Sequence, residues 1–577
     1  MKKFKTMLVA MLLATAVGCS NDNTTVTITP APTTGTTEGS QVISAKANGY
    51  GGELNVDVTV EDGKIADIVL GDNHETNVVI DRAFPVIRER ILEANTPAVD
   101  SVSAASFSSY AVKQAVASAL DEAGVAYEGE VTMAASAFSE NPTKVDDVNA
   151  DVVIIGGGPS GLAAAISIKQ ANADANVIVC EKLDILSGNG KFDMNYFDMI
   201  NSKAEEANGN IVTEEDLIAD YKDGGESEAR LKAWAADEST MDAWLRDMGV
   251  ELNFNYGGEG SSSHMAEDDQ YAGEVVQAGL ERTANELGVT ILTGTKGVDF
   301  VMDGKKVTGA VVSNTKGETY NILAPYTLVA TGGFCSNKEL LAKYAPGNEN
   351  LNTSNQMGTT GDFVEVFAGY GMKLERMDKM SVFGNIIVPR RDLTGGADMN
   401  LLVNKNGELL NNSLSGVKRW NMEQEQPDHA AFYITDSTGY DSFYRIRKHV
   451  ALGYYQTGET LEELADKLGI DGETLKQTVA DYNTRAENGE VDPVLEKEAK
   501  RPLDAEGPYY GVRVEAANHM TKGGIACDEH GQALYEDDSL VEGLFATGEV
   551  TSQTGCYSAS VSWGRIAGSY IASVLSK

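Results

Sequence analysis

The fold is decided by Asp151-Val-Val-Ile-Ile-Gly156-Gly157-Gly158-Pro159-Ser160-Gly161-Leu-Ala-Ala-Ala165. The apolar run is typical of a buried strand, and the small residues after the glycines are typical of a closely packed helix. In the Gly156-x-Gly158-x-x-Gly161 pattern, the glycines permit a tight turn, close approach of a pyrophosphate and close helix–strand packing, in that order. This stretch therefore predicts a dinucleotide site at a helix N-terminus, where free N–H groups favour negative charge.

An acid follows the next apolar run, at the end of Val177-Ile-Val-Cys-Glu181. A carboxylate in this position accepts hydrogen bonds from a ribose hydroxyl group. A glycine-rich turn without a ligand is the alternative interpretation, but it does not account for a strand, glycines, a helix and an acid in register. We therefore predict a doubly wound α/β domain that binds a dinucleotide.

Four later stretches identify which dinucleotide. They are Ala330-Thr331-Gly332-Gly333, Thr360-Gly361-Asp362, Gly548-Glu549 and Trp563-Gly564-Arg565. Together with the first stretch, this order resembles the FAD-binding flavoprotein subunits of the fumarate reductase/succinate dehydrogenase family, especially its soluble flavocytochrome c branch. The resemblance covers roughly residues 149–577, and it implies a flavin-dependent oxidoreductase acting on CH–CH groups with non-covalent FAD.

The resemblance also implies which residues hold FAD, with Glu549 on the ribityl chain. The complete predicted set is Gly156, Gly158, Ser160, Gly161, Glu181, Lys182, Gly188, Asn189, Ala330, Thr331, Gly332, Asp362, Glu549 and Ser560.

The N-terminal region predicts a small α+β unit. The chain from Gly49 alternates apolar and polar residues around Glu61-Asp62-Gly63, which predicts a hairpin, and helices are expected near 83–94 and 110–123. Between the helices, Asp100-Ser-Val-Ser-Ala-Ala-Ser106 resembles the FMN-binding domain of sodium-pumping quinone reductases. There, D-x-x-[ST]-[GA]-A-[ST] carries FMN through a phosphoester made by a flavin transferase. The resemblance implies covalent FMN on Ser106, where Thr is usual, with Ala104 in place of the usual Gly. A serine-rich helix start without flavin is the alternative.

The predicted substrate contacts depart from the family pattern. His519-Met520-Thr521-Lys522-Gly523-Gly524 stands where the family has His-His-Thr-x-Gly-Gly, so Met520 replaces a substrate-binding His. The loop 552–562 contains no arginine, and Phe383 stands where the family has another active-site His. These changes predict a less charged or bulkier enoate or enone rather than fumarate.

Reduction of a C=C bond also needs a proton donor. We predict His519, Arg419 and Tyr557 as the catalytic residues. Arg419 lies near the acid arginine of the family, although a salt-bridging role is equally compatible with the sequence. Tyr557 either donates a proton, as in related ketosteroid dehydrogenases, or forms an aromatic wall. The remaining candidates are His264, Arg390, Arg391 and Lys418.

Composition limits the other classes of function. The 577 residues carry a formal charge of -40, which argues against nucleic acid or an anionic membrane surface as a partner. The five cysteines form no CxxC or CxxCH, which argues against zinc, iron–sulfur and c-type haem sites of the usual spacing. The six histidines are isolated from one another, so we predict no metal site.

The first residues predict export. A basic start and the apolar stretch 7–16 precede Ala16-Val-Gly-Cys19, which resembles a bacterial lipobox. Ordinary signal-peptide cleavage is the alternative. We expect a protein at the cell membrane, on its extracytoplasmic face, which contacts the membrane only through a lipid on Cys19.

The predicted organisation has six parts. They are a lipoprotein signal peptide (1–19), a flexible spacer (20–44), an FMN-binding domain (45–125), a linker (126–148), an FAD-binding domain (149–370 and 513–577) and an inserted α+β capping domain (371–512). Capped amphipathic helices are expected from Thr460 and Thr474 within the capping domain.

The predicted function is a reductase of anaerobic respiration. It takes electrons from a membrane or extracellular donor, through FMN and FAD, to the C=C bond of a small α,β-unsaturated acid or ketone. An FAD-dependent ketosteroid-type dehydrogenase and a lipid-anchored diflavin electron carrier remain as alternatives.

Overall fold

The computed structural model describes residues 39–186, 188–191, 194–255, 262–266, 270–396, 399–553 and 555–575. The predicted signal peptide, and Cys19 with it, lies outside these residues. No helix in the described ranges combines the length and apolarity needed to cross a membrane.

The N-terminal domain is a three-stranded antiparallel sheet covered by two helices. Its elements are β1 (Ser40–Asn48), β2 (Glu53–Glu61), β3 (Lys64–Asn73), α1 (Asn77–Ala94) and α2 (Ser106–Ala123). The alternating side chains of β2 bury Leu54, Val56, Val58 and Val60 against the helices. The hairpin around the turn at 61–63 is confirmed.

The first strand differs from the sequence prediction. β1 begins at Ser40, inside the range 20–44 predicted as a flexible spacer, and it pairs with β2 through Asn48. Ile43 is the one residue of β1 that is fully buried, so the strand carries little apolar alternation. Backbone pairing to β2 forms this strand, and such pairing leaves no local pattern in the sequence.

The linker and the first part of the FAD-binding domain follow. Their elements are β4 (Thr143–Lys144), β5 (Val148–Asn149), β6 (Val152–Ile155), α3 (Pro159–Ala171), β7 (Val177–Cys180), β8 (Tyr196–Asp198), α4 (Lys203–Asn208), α5 (Glu214–Tyr221), α6 (Glu228–Glu238), α7 (Met241–Asp247), β9 (Phe254–Asn255), β10 (Ser263–Met265), α8 (Ala272–Glu286), β11 (Thr290–Leu292), β12 (Thr295–Asp303), β13 (Lys306–Asn314), β14 (Glu318–Leu323), β15 (Tyr326–Val329), α9 (Lys338–Tyr344), β16 (Asn352–Thr353) and α10 (Val364–Gly369).

The capping domain and the C-terminal return complete the chain. Their elements are β17 (Leu374–Glu375), β18 (Met380–Ile387), β19 (Leu401–Asn404), α11 (Gly416–Gln424), β20 (Ala431–Thr435), α12 (Ser437–Ser442), α13 (Tyr444–Ala451), β21 (Gln456–Gly458), α14 (Leu461–Leu468), α15 (Gly472–Asn488), β22 (Val491–Asp492), β23 (Lys497–Glu498), β24 (Tyr509–Thr521), β25 (Gly524–Ile525), β26 (Gln532–Leu534), β27 (Leu540–Ala546) and α16 (Tyr557–Leu575).

A six-stranded sheet forms the centre of the FAD-binding domain, in the order β11-β7-β6-β15-β27-β26. All pairs are parallel except β26 with β27. The chain leaves β6 towards β7 and β11 on one side, and later returns to β15 and β27 on the other. A ligand crevice forms beyond the carboxyl end of β6, because the winding direction reverses there.

One long strand belongs to both the capping domain and the FAD-binding domain. β24 pairs with β16, β18, β20 and β21 in the sheet of the capping domain. The boundary predicted at 513 therefore falls inside a continuous strand. One of the two predicted helix caps also differs: α14 is capped by Thr460 as predicted, but α15 is capped by Asp471, whose carboxylate accepts from the Thr474 amide.

The N-terminal domain packs against both other domains. Asp184 of the FAD-binding domain binds Arg90 (2.8 Å) and accepts from the amide and hydroxyl of Ser103. Ile185 is buried in the core of the N-terminal domain. On the other side, the Tyr50 hydroxyl donates to the carbonyl of Pro389 in the capping domain.

Candidate active site

The glycine-rich turn after β6 has the geometry of a phosphate cradle. Gly156 has φ 114°, and a Cβ there would lie 2.2 Å from the Ala330 carbonyl oxygen. A Cβ on Gly161 would lie 2.0 Å from the Gly156 carbonyl oxygen. A Cβ on Gly158 would meet nothing nearer than the Cα of Gly188, at 3.7 Å. Gly156 and Gly161 are therefore required for packing, whereas Gly158 leaves open space at the N-terminus of α3.

The cavity beyond this turn gathers most of the predicted FAD residues. Its lining includes Gly156, Gly158, Ser160, Glu181, Lys182, Gly188, Asn189, Ala330, Thr331, Gly332, Asp362, Glu549 and Ser560. The buried Thr331 hydroxyl has no hydrogen-bond partner among the described residues. An FAD molecule fits this arrangement, because it fills the cradle and offers a partner to that hydroxyl. Gly161 lies beneath the turn rather than on the cavity wall.

Two acidic residues support the cavity entrance next to β6. Glu181 accepts hydrogen bonds from the amides of Gly157 (3.0 Å) and Leu183 (2.9 Å), so the predicted ribose acid also fixes the turn. The Lys182 ammonium pairs with Asp362 at 3.0 Å, and both residues line the cavity. The pair joins the segment after β7 to the segment that precedes α10.

Glu549 lies on the opposite side of the cavity. Its carboxylate accepts from the amide (2.8 Å) and hydroxyl (3.0 Å) of Thr521. Removal from water raises the pKa of Glu549 to about 7, because the charged form loses hydration. A Cβ on Gly333 would lie 2.4 Å from this carboxylate, so Gly333 makes room for it.

His519 lines the cavity from the end of β24, beside Met520. Its Nδ1 contacts the Ser354 hydroxyl at 2.8 Å, and its ring meets the Phe383 ring edge-on at 5.0 Å. Burial, with a smaller effect of the Arg445 charge, lowers the pKa of His519 to about 4. His519 is therefore a neutral polar group at neutral pH.

Tyr557 begins α16 and forms an aromatic wall of the same cavity. Its hydroxyl donates to the Gly273 carbonyl at 3.4 Å, and burial raises its pKa well above the ordinary value. Its ring packs edge-on against Phe197 at 5.3 Å. A Cβ on Gly190 would lie 2.3 Å from the Tyr557 ring. This geometry favours the role of Tyr557 as an aromatic wall over its role as a proton donor.

Arg419 does not line the cavity, which corrects the predicted catalytic role. Its side chain is almost fully buried and ion-paired with Glu423 one turn along α11. It also donates to the Gly384 carbonyl at 3.2 Å, and Glu423 accepts from the Ala516 amide. Arg419 thus joins α11 to β18 and β24, in the salt-bridging role that the sequence left open.

The other candidate proton donors lie away from the cavity lining, and most of them contact other parts of the protein. His264 is buried between the Ser202 hydroxyl and the Ser262 carbonyl. Arg391 donates to the Asn355 carbonyl, and Lys418 is exposed to solvent. Arg390 lies over the rings of two tyrosines, Tyr50 and Tyr454.

The predicted FMN attachment point, Ser106, is the first residue of α2. The preceding Ala105 offers no side-chain cap, so amides of the first turn are available to a phosphate. Ala104 has φ 72°, the left-handed backbone that favours glycine. Phe107 is 56% exposed beside Tyr50, which lies at the boundary with the capping domain.

Several groups near the cavity carry no sequence signal. The charge of Arg445 on α13 acts on His519, and Arg445 and His449 of the same helix both contact Thr394 before β19, but no motif distinguishes these three residues from ordinary helix and loop residues. Within the described ranges, no group of three or more His, Cys, Asp or Glu side chains is arranged to hold a metal ion.

Similarity to known proteins agrees with this geometry. The chain is 28% identical to the NADH:fumarate oxidoreductase of Klebsiella pneumoniae over 86% of its length, but spans about half (54%) of that relative. It is 27% identical to the urocanate reductase of Eggerthella lenta, covering 89% of this chain and 88% of that one. The open conformation of a flavocytochrome c3 fumarate reductase superposes with a TM-score of 0.66 at 26% identity, covering 74% of this chain and 79% of that one.

Two family models also match. Residues 49–121 match the FMN-binding domain, and residues 151–561 match the FAD binding domain. The predicted resemblance, the α/β fold class and the pair of flavin cofactors are thereby confirmed. The chain belongs to the FAD-binding family of fumarate reductase-like flavoproteins and carries an FMN-binding domain ahead of its FAD domain.

Proposed function

We propose that the protein is a flavin-dependent reductase of C=C bonds, which reduces a small α,β-unsaturated acid or ketone. The observation that carries the proposal is a single cavity in which the FAD-binding residues meet His519 and Met520 beneath the capping domain. The named activities of its relatives, reduction of fumarate and of urocanate, support the same class of reaction.

Different residues of the chain would hold the cofactors and contact the substrate. The cradle of α3, Glu181 and Glu549 would hold FAD, and Ser106 would carry FMN as a phosphoester. Bound FAD supplies two electrons to the substrate, and FMN supplies an entry point for single electrons. Neutral His519 orients a polar group of the substrate, while Phe383, Met520 and Tyr557 give its surroundings an apolar character.

Fumarate is expected to be a poor substrate. Met520 cannot bind a carboxylate, and residues 552–562, which include the start of α16, hold no arginine. Each missing charge-assisted hydrogen bond is worth roughly 1.5–3 kcal/mol. Two missing contacts therefore reduce kcat/KM by about 10²–10⁴-fold relative to a suitable enoate.

The test is oxidation of reduced viologen by the diflavin protein, with fumarate, urocanate, acrylate, cinnamate and enone steroids as acceptors. We expect turnover with at least one monocarboxylic enoate or enone, well above the rate with fumarate. Fumarate turnover equal to the best acceptor would contradict the substrate assignment. Turnover with dyes alone would favour the electron carrier, and faster oxidation of saturated steroids would favour the dehydrogenase.

We further propose that the protein works outside the cytoplasm, tethered by a lipid on Cys19. The basic and apolar start of the chain supports this location. The electron donor would then be a membrane or extracellular carrier. In the native host, Cys19→Ala should release the protein from the membrane fraction or block its processing. Processing of the unaltered protein at another residue, without lipid, would refute the anchor.

A further inference from the structure

Arg445 lies on the first turn of α13, near the residues that surround His519. The Thr394 carbonyl that it contacts also accepts a hydrogen bond from Asn385 of β18, two residues from Phe383, whose ring meets the His519 ring. The Arg445 guanidinium lies 5.5 Å from the Tyr196 ring and contacts the Thr394 carbonyl at a marginal 3.5 Å. Its Nε is buried and has no hydrogen-bond partner in the described part of the chain. The side chain is half-buried, so the guanidinium is both accessible and incompletely paired.

No described carboxylate forms an ion pair with Arg445. The nearby titratable groups do not compensate the charge: burial, Lys448 and Arg445 hold the pKa of His449 well below its ordinary value, and burial raises that of Tyr455. His519 is neutral as well. Arg445 and Lys448 thus form local positive charges among neutral polar groups.

The other basic residues of α13 are engaged differently. Lys448 is fully buried, donates to the Gln270 carbonyl and lies 4.0 Å from the Tyr271 ring. Arg447 donates to the Asp441 carbonyl at 2.6 Å, near the protein surface. Among the basic residues of this helix, Arg445 is therefore the one with a buried donor that has no hydrogen-bond partner in the described part of the chain.

We infer that Arg445 binds the carboxylate of the substrate and that the substrate is a monocarboxylic enoate. The inference rests on the proposed function and gives it a substrate class. A guanidinium is a planar donor that matches a carboxylate with two parallel hydrogen bonds. The cation that residues 552–562 lack is thus supplied from α13, while Phe383 and Met520 surround the rest of the substrate with apolar groups.

The test compares acids with matched neutral acceptors: cinnamate with methyl cinnamate, and acrylate with acrylamide. Arg445→Gln should lower kcat/KM for the acids by about 10–150-fold, because a charge-assisted bond is lost, with less than a threefold change for the neutral acceptors. Arg445→Lys should recover part of the loss. Arg447→Gln, on the same helix and with the same change of charge, should behave like the unaltered protein.

A binding measurement separates this inference from the proposed function. Calorimetric titration of the oxidised diflavin protein with 3-phenylpropionate should show binding that Arg445→Gln weakens at least tenfold. Unchanged binding, or equal kinetic losses for acids and neutral acceptors, would overturn the role of Arg445. If the unaltered protein binds 3-phenylpropionate through Arg445 but reduces no acceptor, the proposed reductase function fails and the anion site stands.

Discussion

Ala104 shows how one residue links the sequence motif to a backbone requirement. Its φ of 72° lies in the left-handed region, which costs an alanine roughly 1–2 kcal/mol relative to its ordinary conformation. The related FMN-binding pattern has Gly at this position for the same reason. The strained turn places Ser106 at the uncapped start of α2, where a phosphate finds free amides.

Ser106→Ala is expected to abolish covalent FMN, because the phosphoester needs the serine oxygen. Acid precipitation of the unaltered protein should release FAD and leave one FMN attached, as measured by intact mass. The control is Ser118→Ala, an exposed serine on the same helix, which should retain the flavin. If Ser106→Ala changes the mass of the protein only by the lost oxygen, FMN is still attached and the predicted attachment site is refuted.

Glu549→Gln is expected to stabilise the flavin-free protein while weakening FAD binding. In the folded protein the pKa of Glu549 is about 7, above the ordinary value of 4.5. The contribution of Glu549 to the unfolding free energy is therefore fully present below pH 4.5 and is lost as pH rises towards 7. The variant should therefore gain about 3 kcal/mol in unfolding free energy at pH 7.5 and almost nothing at pH 4. Urea unfolding at both pH values and an FAD titration test this expectation; an equal gain at both values would contradict it.

Arg419 and Arg445 mark the limit of sequence reasoning for single residues. Both are arginines on helices of the capping domain; the family pattern indicated Arg419, and no motif indicated Arg445. The separation depends on tertiary partners: Glu423 neutralises Arg419, whereas no described acid faces Arg445. The cofactor residues were predictable because phosphate binding imposes a backbone geometry that only glycine supplies.

In the turn between β6 and α3, one glycine is needed for packing and another for FAD binding. Gly161→Ala should destabilise the fold, because its Cβ would meet the Gly156 carbonyl at 2.0 Å and force α3 away from the sheet. Gly158→Ala should leave the unfolding midpoint of the flavin-free protein within 2 °C or so of the unaltered protein, but should weaken FAD binding. Thermal unfolding and FAD titration of both variants provide the test. Equal loss of stability in the two variants would show that Gly158 is also a packing residue.

Elements with local signals were predicted well, and elements formed by distant pairing were not. The β2–β3 hairpin and α14 carry alternation, turn residues and a Thr460 cap in the sequence itself. β1 is stabilised by its partner strand, and the 13 residues of β24 cross a boundary that a motif-based division placed at 513. The distinction is physical, since pairing partners far along the chain leave no periodicity.

At the scale of the whole molecule, the two flavin domains are joined through Asp184. Its side chain is almost buried and binds Arg90 and Ser103 of the N-terminal domain. Asp184→Ala would leave Arg90 without its acid and Ser103 without its acceptor, and loss of a hydrogen bond to a charged group costs about 1.5–3 kcal/mol. We expect faster proteolysis of the 126–148 linker and a lower unfolding midpoint.

Glu53→Ala serves as the control for the contact between domains. Glu53 forms an exposed ion pair with Lys46 across β1 and β2 of the N-terminal domain. Its removal should change neither proteolysis nor the unfolding midpoint measurably, because exposed pairs contribute little. Equal sensitivity of both variants would show that Asp184 does not hold the domains together.

The order of the domains was predictable from the sequence, but their contacts were not. Each domain has its own motif, and the motifs occur in chain order. The packing of Ile185 into the N-terminal core and the Tyr50 contact with Pro389 depend on side chains that are unremarkable in the sequence.

Because β24 is continuous, it connects the sheet of the capping domain directly to residues that line the cavity. The strand begins in the sheet of the capping domain and ends at His519, Met520 and Thr521, the last of which binds Glu549. Any displacement of the capping domain along this strand is therefore transmitted to the histidine and to the carboxylate that faces FAD. A substrate that fits poorly under the cap would be mispositioned at the flavin as well, so selectivity and rate cannot evolve independently in this protein.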